Sequence, residues 1–333
     1  MESPFGRRVR TIPAVVFTWL LVMALLPVLL PVAACVDSLR WLHRRTPFMA
    51  ARLVLFLLAY LSIEVVGLAA LGVIWLSSGL GRDGGVLRRG TFAVQRRWAE
   101  AVFDSVRGVF GLTFSARGLE HVEDSPMLLV ARHASIVDNL LPAHYITKPH
   151  GTHIAYVMKS ELLIDPCLDV AGNRLPNVFV KRGSGEADRD IAAIRALGTG
   201  IGEGEGVLIY PEGTRFSQAK LAASVRRLEK SPRLQEIATE LTVVLPPRPA
   251  GVLALLESST ADVVVMAHRG LDGFARVADI WKGAMVRTHV DVAFWRIPRA
   301  QIPEGRSQRL EWLFEVWRDI DAWVRSERTT ATS

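Results

Sequence analysis

Two long apolar stretches open the chain, Ile12–Ala34 and Leu53–Leu76. Each is long enough to cross the roughly 30 Å hydrocarbon core of a bilayer. A glycine-rich interval follows at 79–90. It reads as a linker, because glycine clusters interrupt regular structure. Beyond it the pattern changes. Phe92, Trp98, Val102, Phe103, Val106 and Phe110 recur at helical spacing and predict an amphipathic helix over Thr91–Phe110. Short apolar runs then recur at Met127–Ala131, Ile154–Met158, Val178–Val180, Val207–Tyr210, Thr242–Leu245, Val263–Ala267 and Val290–Trp295. They are aliphatic or β-branched and bounded by turn residues, as strands are. Helical spacing marks Ile136–Ile146, Ala187–Leu197, Ser217–Leu228, Ser231–Thr239, Gly251–Ser258 and Arg306–Arg325. Alternation of this kind predicts an α/β fold with a largely parallel sheet flanked by helices. The expected organisation is a two-helix membrane anchor over 1–80, a linker over 81–90, a catalytic domain over 91–327 and a frayed tail over 328–333.

Composition sharpens the first part of this picture. Half of the 333 residues are apolar, and the net charge is +7. Residues 1–90 hold ten arginines, no lysine and four acids, so most of the positive charge flanks the apolar stretches. That placement suits anionic lipid headgroups better than nucleic acid. The first stretch is longer than the core of a cleavable signal peptide, and Pro27 and Pro31 fall inside it. A retained hairpin with both ends on the cytosolic side of the cytoplasmic membrane is expected. A re-entrant or interface-lying first segment, broken at the two prolines, is the alternative. Glu64, in the middle of the second stretch, is a functional candidate or a helix-paired carboxyl. Cys35 and Cys167 are the only cysteines, and neither a disulfide framework nor a metal-type spacing exists.

The chemistry concentrates after the predicted strands. His133, Lys159, Lys181, Arg182, Glu212 and Pro246 each follow one closely. In an open α/β sheet the ligand crevice lies at the carboxyl ends of the strands, so these residues converge on one site. His133 and Asp138 sit five positions apart. A histidine titrating near neutrality suits the removal of a proton from an attacking alcohol, and a carboxylate on its other nitrogen fixes the tautomer. The pair alone is a weak motif, equally consistent with a surface or capping histidine. Pro211-Glu212-Gly213-Thr214-Arg215 is more specific. A glycine turn exposes backbone N–H groups, and arginine offers a planar fork for phosphate. No G-x-S-x-G, H-E-x-x-H, Walker A or C-x-x-C pattern occurs, so a serine nucleophile, resident metal or nucleotide-triphosphate chemistry is not indicated. Ser135 reads as a helix cap. The run Gly198–Gly206 reads as a loop, and Trp312, Trp317 and Trp323 as packing or membrane-edge residues.

On these motifs the chain resembles the glycerolipid O-acyltransferases of the 1-acylglycerol-3-phosphate acyltransferase (PlsC) type. Four blocks occur in that family's order: His133-x4-Asp138, Phe179-Val180-Lys181-Arg182, Tyr210-Pro211-Glu212-Gly213-Thr214-Arg215 and Val244-Leu245-Pro246-Pro247. Lys159-Ser160-Glu161-Leu162 followed by Pro166 is similar to the segment between the first two blocks. Leu245–Gly251, Arg296–Arg299 and Trp312-Leu313 look like the subgroup that includes lysocardiolipin and other lysophospholipid acyltransferases. The resemblance spans about 90–325. It implies His133 as general base and Asp138 as its orienting partner, with no covalent acyl-enzyme. Lys181, Arg182, Glu212, Gly213, Thr214 and Arg215 would form the acceptor's phosphate site. Lys159, Pro246 and Pro247 would belong to the acyl-donor side or pocket. The reaction it implies moves an acyl chain from acyl-CoA, or from acyl carrier protein, to the free hydroxyl of lysophosphatidic acid or a related lysophospholipid, without cofactor or metal. An acyltransferase for a non-phosphate lipid acceptor and a non-catalytic lipid-binding protein remain as alternatives.

Overall fold

A computed structural model describes residues 3–181, 185–272 and 277–326. Three long helices come first: α1 (Pro4–Arg44), α2 (Ala50–Ser77) and α3 (Gly84–Phe110). Then follow β1 (Thr113–Arg117), β2 (Met127–Ala131), α4 (Lys148–His150), β3 (His153–Lys159), α5 (Pro166–Gly172), β4 (Val178–Val180), α6 (Ala187–Gly198) and β5 (Glu205–Ile209). The chain ends with α7 (Gln218–Arg226), α8 (Pro232–Glu240), α9 (Pro249–Ser258), β6 (Asp262–Arg269), α10 (Val277–Trp281), β7 (His289–Ile297) and α11 (Arg306–Arg325). The strands form one sheet in the order β1-β7-β6-β2-β5-β3-β4. Only β6 and β7 pair antiparallel; every other neighbouring pair is parallel. The carboxyl ends of β2, β3, β4, β5 and β6 therefore share one edge.

Strand periodicity divides the core between the two faces of the sheet. Leu128, Val130, Val207, Ile209, Val263 and Val265 face α9 and α11, packing with Leu255 and Trp317. Met127, Leu129, Leu208, Val264 and Met266 face the other way and pack with Phe103 and Phe110 of α3 and with Met49. Strand β2 is buried throughout, as expected of a strand covered on both sides.

The first two helices are long and apolar enough to cross a membrane by length and composition, and they extend past the apolar stretches on both sides. Asp37 of α1 is fully buried and caps α2: its carboxylate accepts the N–H groups of Met49, Ala50 and Ala51, each at 2.9 Å. Helix α1 touches the α/β domain near both of its ends. Arg7 grips the Asp169 carboxylate in a fork at 2.9 and 2.7 Å. At the other end Arg40 donates to the Trp281 carbonyl at 2.7 Å.

Three expectations need correction. The supposed linker 81–90 is mostly helix: α3 begins at Gly84, and Asp83 caps it through Val86 N at 2.9 Å. Glycine serves close packing there, because a Cβ on Gly90 would lie 2.6 Å from the Ile74 side chain of α2. Thr242–Leu245 is not a strand; its N–H groups are taken by side-chain carboxylates, as described below. Strand β1 has only two apolar side chains among Thr113–Arg117 and was not anticipated. The expected frayed tail, 328–333, lies outside the described residues.

Candidate active site

Strand β2 delivers His133 to the shared edge, and the turn after it brings Asp138 back. His133 Nδ1 lies 3.1 Å from Asp138 Oδ1. A carboxylate only accepts, so Nδ1 carries the proton and Nε2 is left as the base. Nε2 has no hydrogen-bond partner among the described residues. Asp138 Oδ2 accepts from Ala134 N at 2.7 Å and Ser135 N at 2.8 Å. Burial pushes the Asp138 carboxyl up, but hydrogen bonds and charge from His133 and His268 outweigh it, so the group sits well below the ordinary carboxylate range. It remains ionised beside the His133 ring. The Tyr210 hydroxyl donates to the Asp138 carbonyl at 3.2 Å, and the Tyr210 and His133 rings lie 4.9 Å apart.

Glu212 points inward. Oε1 accepts from His133 N at 2.9 Å and Oε2 from Leu245 N at 3.0 Å. Only 2% of the residue is exposed. Burial pushes its carboxyl up to about 7, against the pull of Arg132 and the two N–H donors. Glu212 was expected at the phosphate. Both of its oxygens are committed to the backbone, so it ties the histidine loop to the 242–247 segment instead.

The rest of that segment hangs on α11. Asp321 is fully buried, and its Oδ1 accepts from Thr242 N, Val243 N and Val244 N at 2.9, 2.7 and 3.2 Å. Carboxylates thus replace the strand neighbour that the apolar run suggested. Pro246 and Pro247 are buried.

The Gly213 turn has φ +66°, and its N–H donates back to Tyr210 O at 2.9 Å. Lys220 closes the loop by donating to Thr214 Oγ1 at 3.1 Å and Arg215 O at 2.9 Å. Arg215 is half-buried, and its guanidinium has no partner among the described residues. Lys159 and Lys181 stand at the ends of β3 and β4, two and three strands from β2. That places them roughly 10 and 14 Å across the edge. Arg182 lies outside the described residues.

An apolar cavity of about 350 Å³ opens beside the histidine loop. Ile136, Leu140, Trp98, Val102, Tyr156 and Leu168 are among its lining, contributed by α2, α3, β3 and the start of α5. Lys159, Pro246 and Pro247, expected at the acyl side, do not line it. Two buried polar residues escaped sequence reasoning. Arg132 donates to His268 O at 2.6 Å and Val243 O at 3.1 Å and pairs with Asp272. His268, at the end of β6, places Nε2 3.5 Å from Asp138 Oδ2. Its position at a strand's carboxyl end was the signal available for it.

The acyltransferase family matches residues 113–268, which contain His133, Asp138 and Glu212. No curated protein matches the chain. Among solved structures the chain is similar to the 1-acyl-sn-glycerophosphate acyltransferase PlsC from Thermotoga maritima, with a TM-score of 0.52 at 15% identity. That alignment covers 82% of this chain and 98% of the other. At that identity the likeness is one of overall fold, in keeping with the mostly parallel sheet flanked by helices. Residues 113–268 thus match the acyltransferase family, and the likeness to PlsC is one of fold.

Proposed function

We propose that the chain transfers an acyl group from acyl-CoA to the free hydroxyl of lysophosphatidic acid or a related lysophospholipid, at a membrane surface. The observation that carries this is the placement of the His133 loop against the apolar cavity. Ile136, three residues past the histidine, is part of the lining, so an acyl chain held there would present its thioester near Nε2. His133 Nε2 takes the acceptor's hydroxyl proton as the oxygen attacks the thioester carbonyl. Asp138 holds the ring and stabilises the imidazolium, and the proton passes to the departing thiolate. Much of the rate comes from orientation of the two substrates. Arg215, whose guanidinium beside the Gly213 turn has no partner among the described residues, is assigned to the acceptor's phosphate, together with Arg182 and Lys181. Glu212 and Asp321 hold the loops in register and do not touch substrate.

The exposed apolar side chains of α1, including Phe17, Leu21, Val28 and Val32, are the surface assigned to the lipid phase. The catalytic domain is placed on the cytosolic side of the cytoplasmic membrane, where acyl-CoA and acyl carrier protein are both at hand. The test uses detergent-purified wild type and His133→Ala with labelled acyl-CoA, labelled acyl carrier protein and a panel of lysophospholipids. Transfer by wild type that His133→Ala abolishes supports the reading and names donor and acceptor. Activity retained by His133→Ala overturns the mechanism. Activity confined to acceptors lacking phosphate overturns the phosphate assignment.

A further inference from the structure

We propose that His268 is a positioning residue for this reaction, holding the Asp138 carboxylate from the side opposite His133. The inference rests on the general-base reading of His133.

The two oxygens of Asp138 have different surroundings. Oδ1 is in contact with His133. Oδ2 receives the Ala134 and Ser135 N–H groups and faces His268 Nε2 at 3.5 Å. The same Nε2 lies 3.2 Å from the Arg132 carbonyl oxygen, which can only accept. Nε2 therefore bears the hydrogen and directs it between the Arg132 carbonyl and Asp138. His268 Nδ1 is buried and has no partner among the described residues. An unpaired lone pair is tolerable there, whereas an N–H at that position would be a buried orphan donor. The ring is thereby fixed in one tautomer, with its donor toward the carboxylate.

The ring is also locked in place. Arg132 donates to the His268 carbonyl at 2.6 Å while His268 faces the Arg132 carbonyl, so the residue after β2 and one on the neighbouring β6 brace each other. Both are buried, His268 completely. Such a bracket has a consequence for the reaction. Three donors around Oδ2 orient the carboxylate so that Oδ1 alone serves His133, and they draw off part of its charge. Without His268, more of that charge acts on His133, which then holds its proton more tightly and is a poorer base at low pH. The other ionisable groups around the pair are Arg132, Asp272, Glu212 and the Tyr210 hydroxyl, and none of them donates to the Asp138 carboxylate.

The test compares wild type, His268→Leu, His268→Asn and His268→Gln as full-length protein in detergent. A glutamine amide reaches the place of Nε2; an asparagine amide stops short of it. Two readouts are needed: the His133 ring titration by nitrogen-labelled NMR, and kcat, KM and the acid limb of the pH–rate profile. We expect His268→Leu and His268→Asn to move the His133 titration and the acid limb upward together. Their kcat should fall about tenfold, the size of one hydrogen bond to a charged group, with both KM values unchanged. His268→Gln should restore most of each. Leucine and asparagine variants that titrate and turn over like wild type overturn the proposal. So does a loss of kcat that tracks the melting temperature while the His133 titration stays put. If wild type transfers no acyl group but the titration still follows residue 268, the reading of the reaction fails and the bracket stands.

Discussion

His133 and Glu212 meet through the backbone: the N–H of the histidine donates to Glu212 Oε1 at 2.9 Å, across 79 residues of sequence. The carboxyl that makes this link titrates at about 7 in the folded protein, against an ordinary 4.5. Between those values the folded chain keeps a proton that the unfolded chain has released. This group's contribution to stability therefore falls as pH rises from about 4.5 to 7 and is constant above. Urea denaturation of wild type and Glu212→Gln at pH 5 and pH 8 checks the sign. Wild type should lose more stability between the two than the glutamine variant, by a few kcal/mol. An equal change in both proteins would place the proton elsewhere.

Asp138 titrates in the opposite direction. Its stabilising contribution is present above the ordinary carboxylate value and is lost only as pH falls through its depressed folded value. The group stays ionised across the range in which His133 works. Asp138→Asn keeps the shape but can stabilise the wrong tautomer of His133. We expect kcat to drop by roughly 10²- to 10⁴-fold, with KM for acyl-CoA little changed. Steady-state kinetics measure this directly; a change confined to KM would mean that Asp138 serves binding.

The cavity beside Ile136 gives a test of the acyl side. Val102 lines it from α3 and is 6% exposed. Val102→Phe shortens the space available. The preferred acyl-CoA should become shorter, and each methylene no longer buried weakens transfer by about 0.8 kcal/mol, roughly fourfold. A chain-length series from short to long acyl-CoA reads this out. An unchanged profile would remove the cavity from the donor site.

Asp37 holds the start of α2 through three N–H groups. Asp37→Ala should destabilise that junction by about 1–2 kcal/mol, the usual range for a lost helix cap. The change is local, so limited proteolysis between residues 45 and 49 should accelerate while kcat on solubilised substrate is retained.

Asp321 accepts from three consecutive N–H groups of the 242–244 segment. Asp321→Ala leaves the buried Val244 N–H without a partner, at a cost of about 1–3 kcal/mol, and frees the part-buried N–H groups of Thr242 and Val243. We expect a lower melting temperature and a loss of activity larger than the change in folded fraction, because Leu245 is the next residue and shares Glu212 with His133. Full activity in a protein that still melts early would uncouple the segment from the site.

Much of this was legible in the chain because strand burial and helical spacing leave strong periodic traces. Strands β2, β3, β4, β5, β6 and β7 and helix α11 lie where the apolar pattern puts them. The His133–Asp138 pairing follows from a five-residue turn at a strand end. Other features carry no local trace. Thr242–Leu245 has the composition of a strand, and only the distant Asp321 and Glu212 make it a loop. Glu212 sits in a motif that suggests an anion site, yet its side chain faces the interior. Arg132 and His268 are a polar pair within the sheet, visible only once β2 and β6 are neighbours. Gly90 adds to a glycine cluster that signals a linker, when its requirement is room for Ile74 of α2.

The dependence of the 242–245 segment on Asp321 also sets an order of events during synthesis. Strand β2, the histidine loop and the Glu212 turn are made before the carboxylate that fixes the segment beside them, which follows Thr242 by 79 residues. A nascent chain halted before residue 321 has no partner for those backbone groups. The segment beside the histidine loop is therefore fixed only after the sheet around it has been made and α11 has folded back.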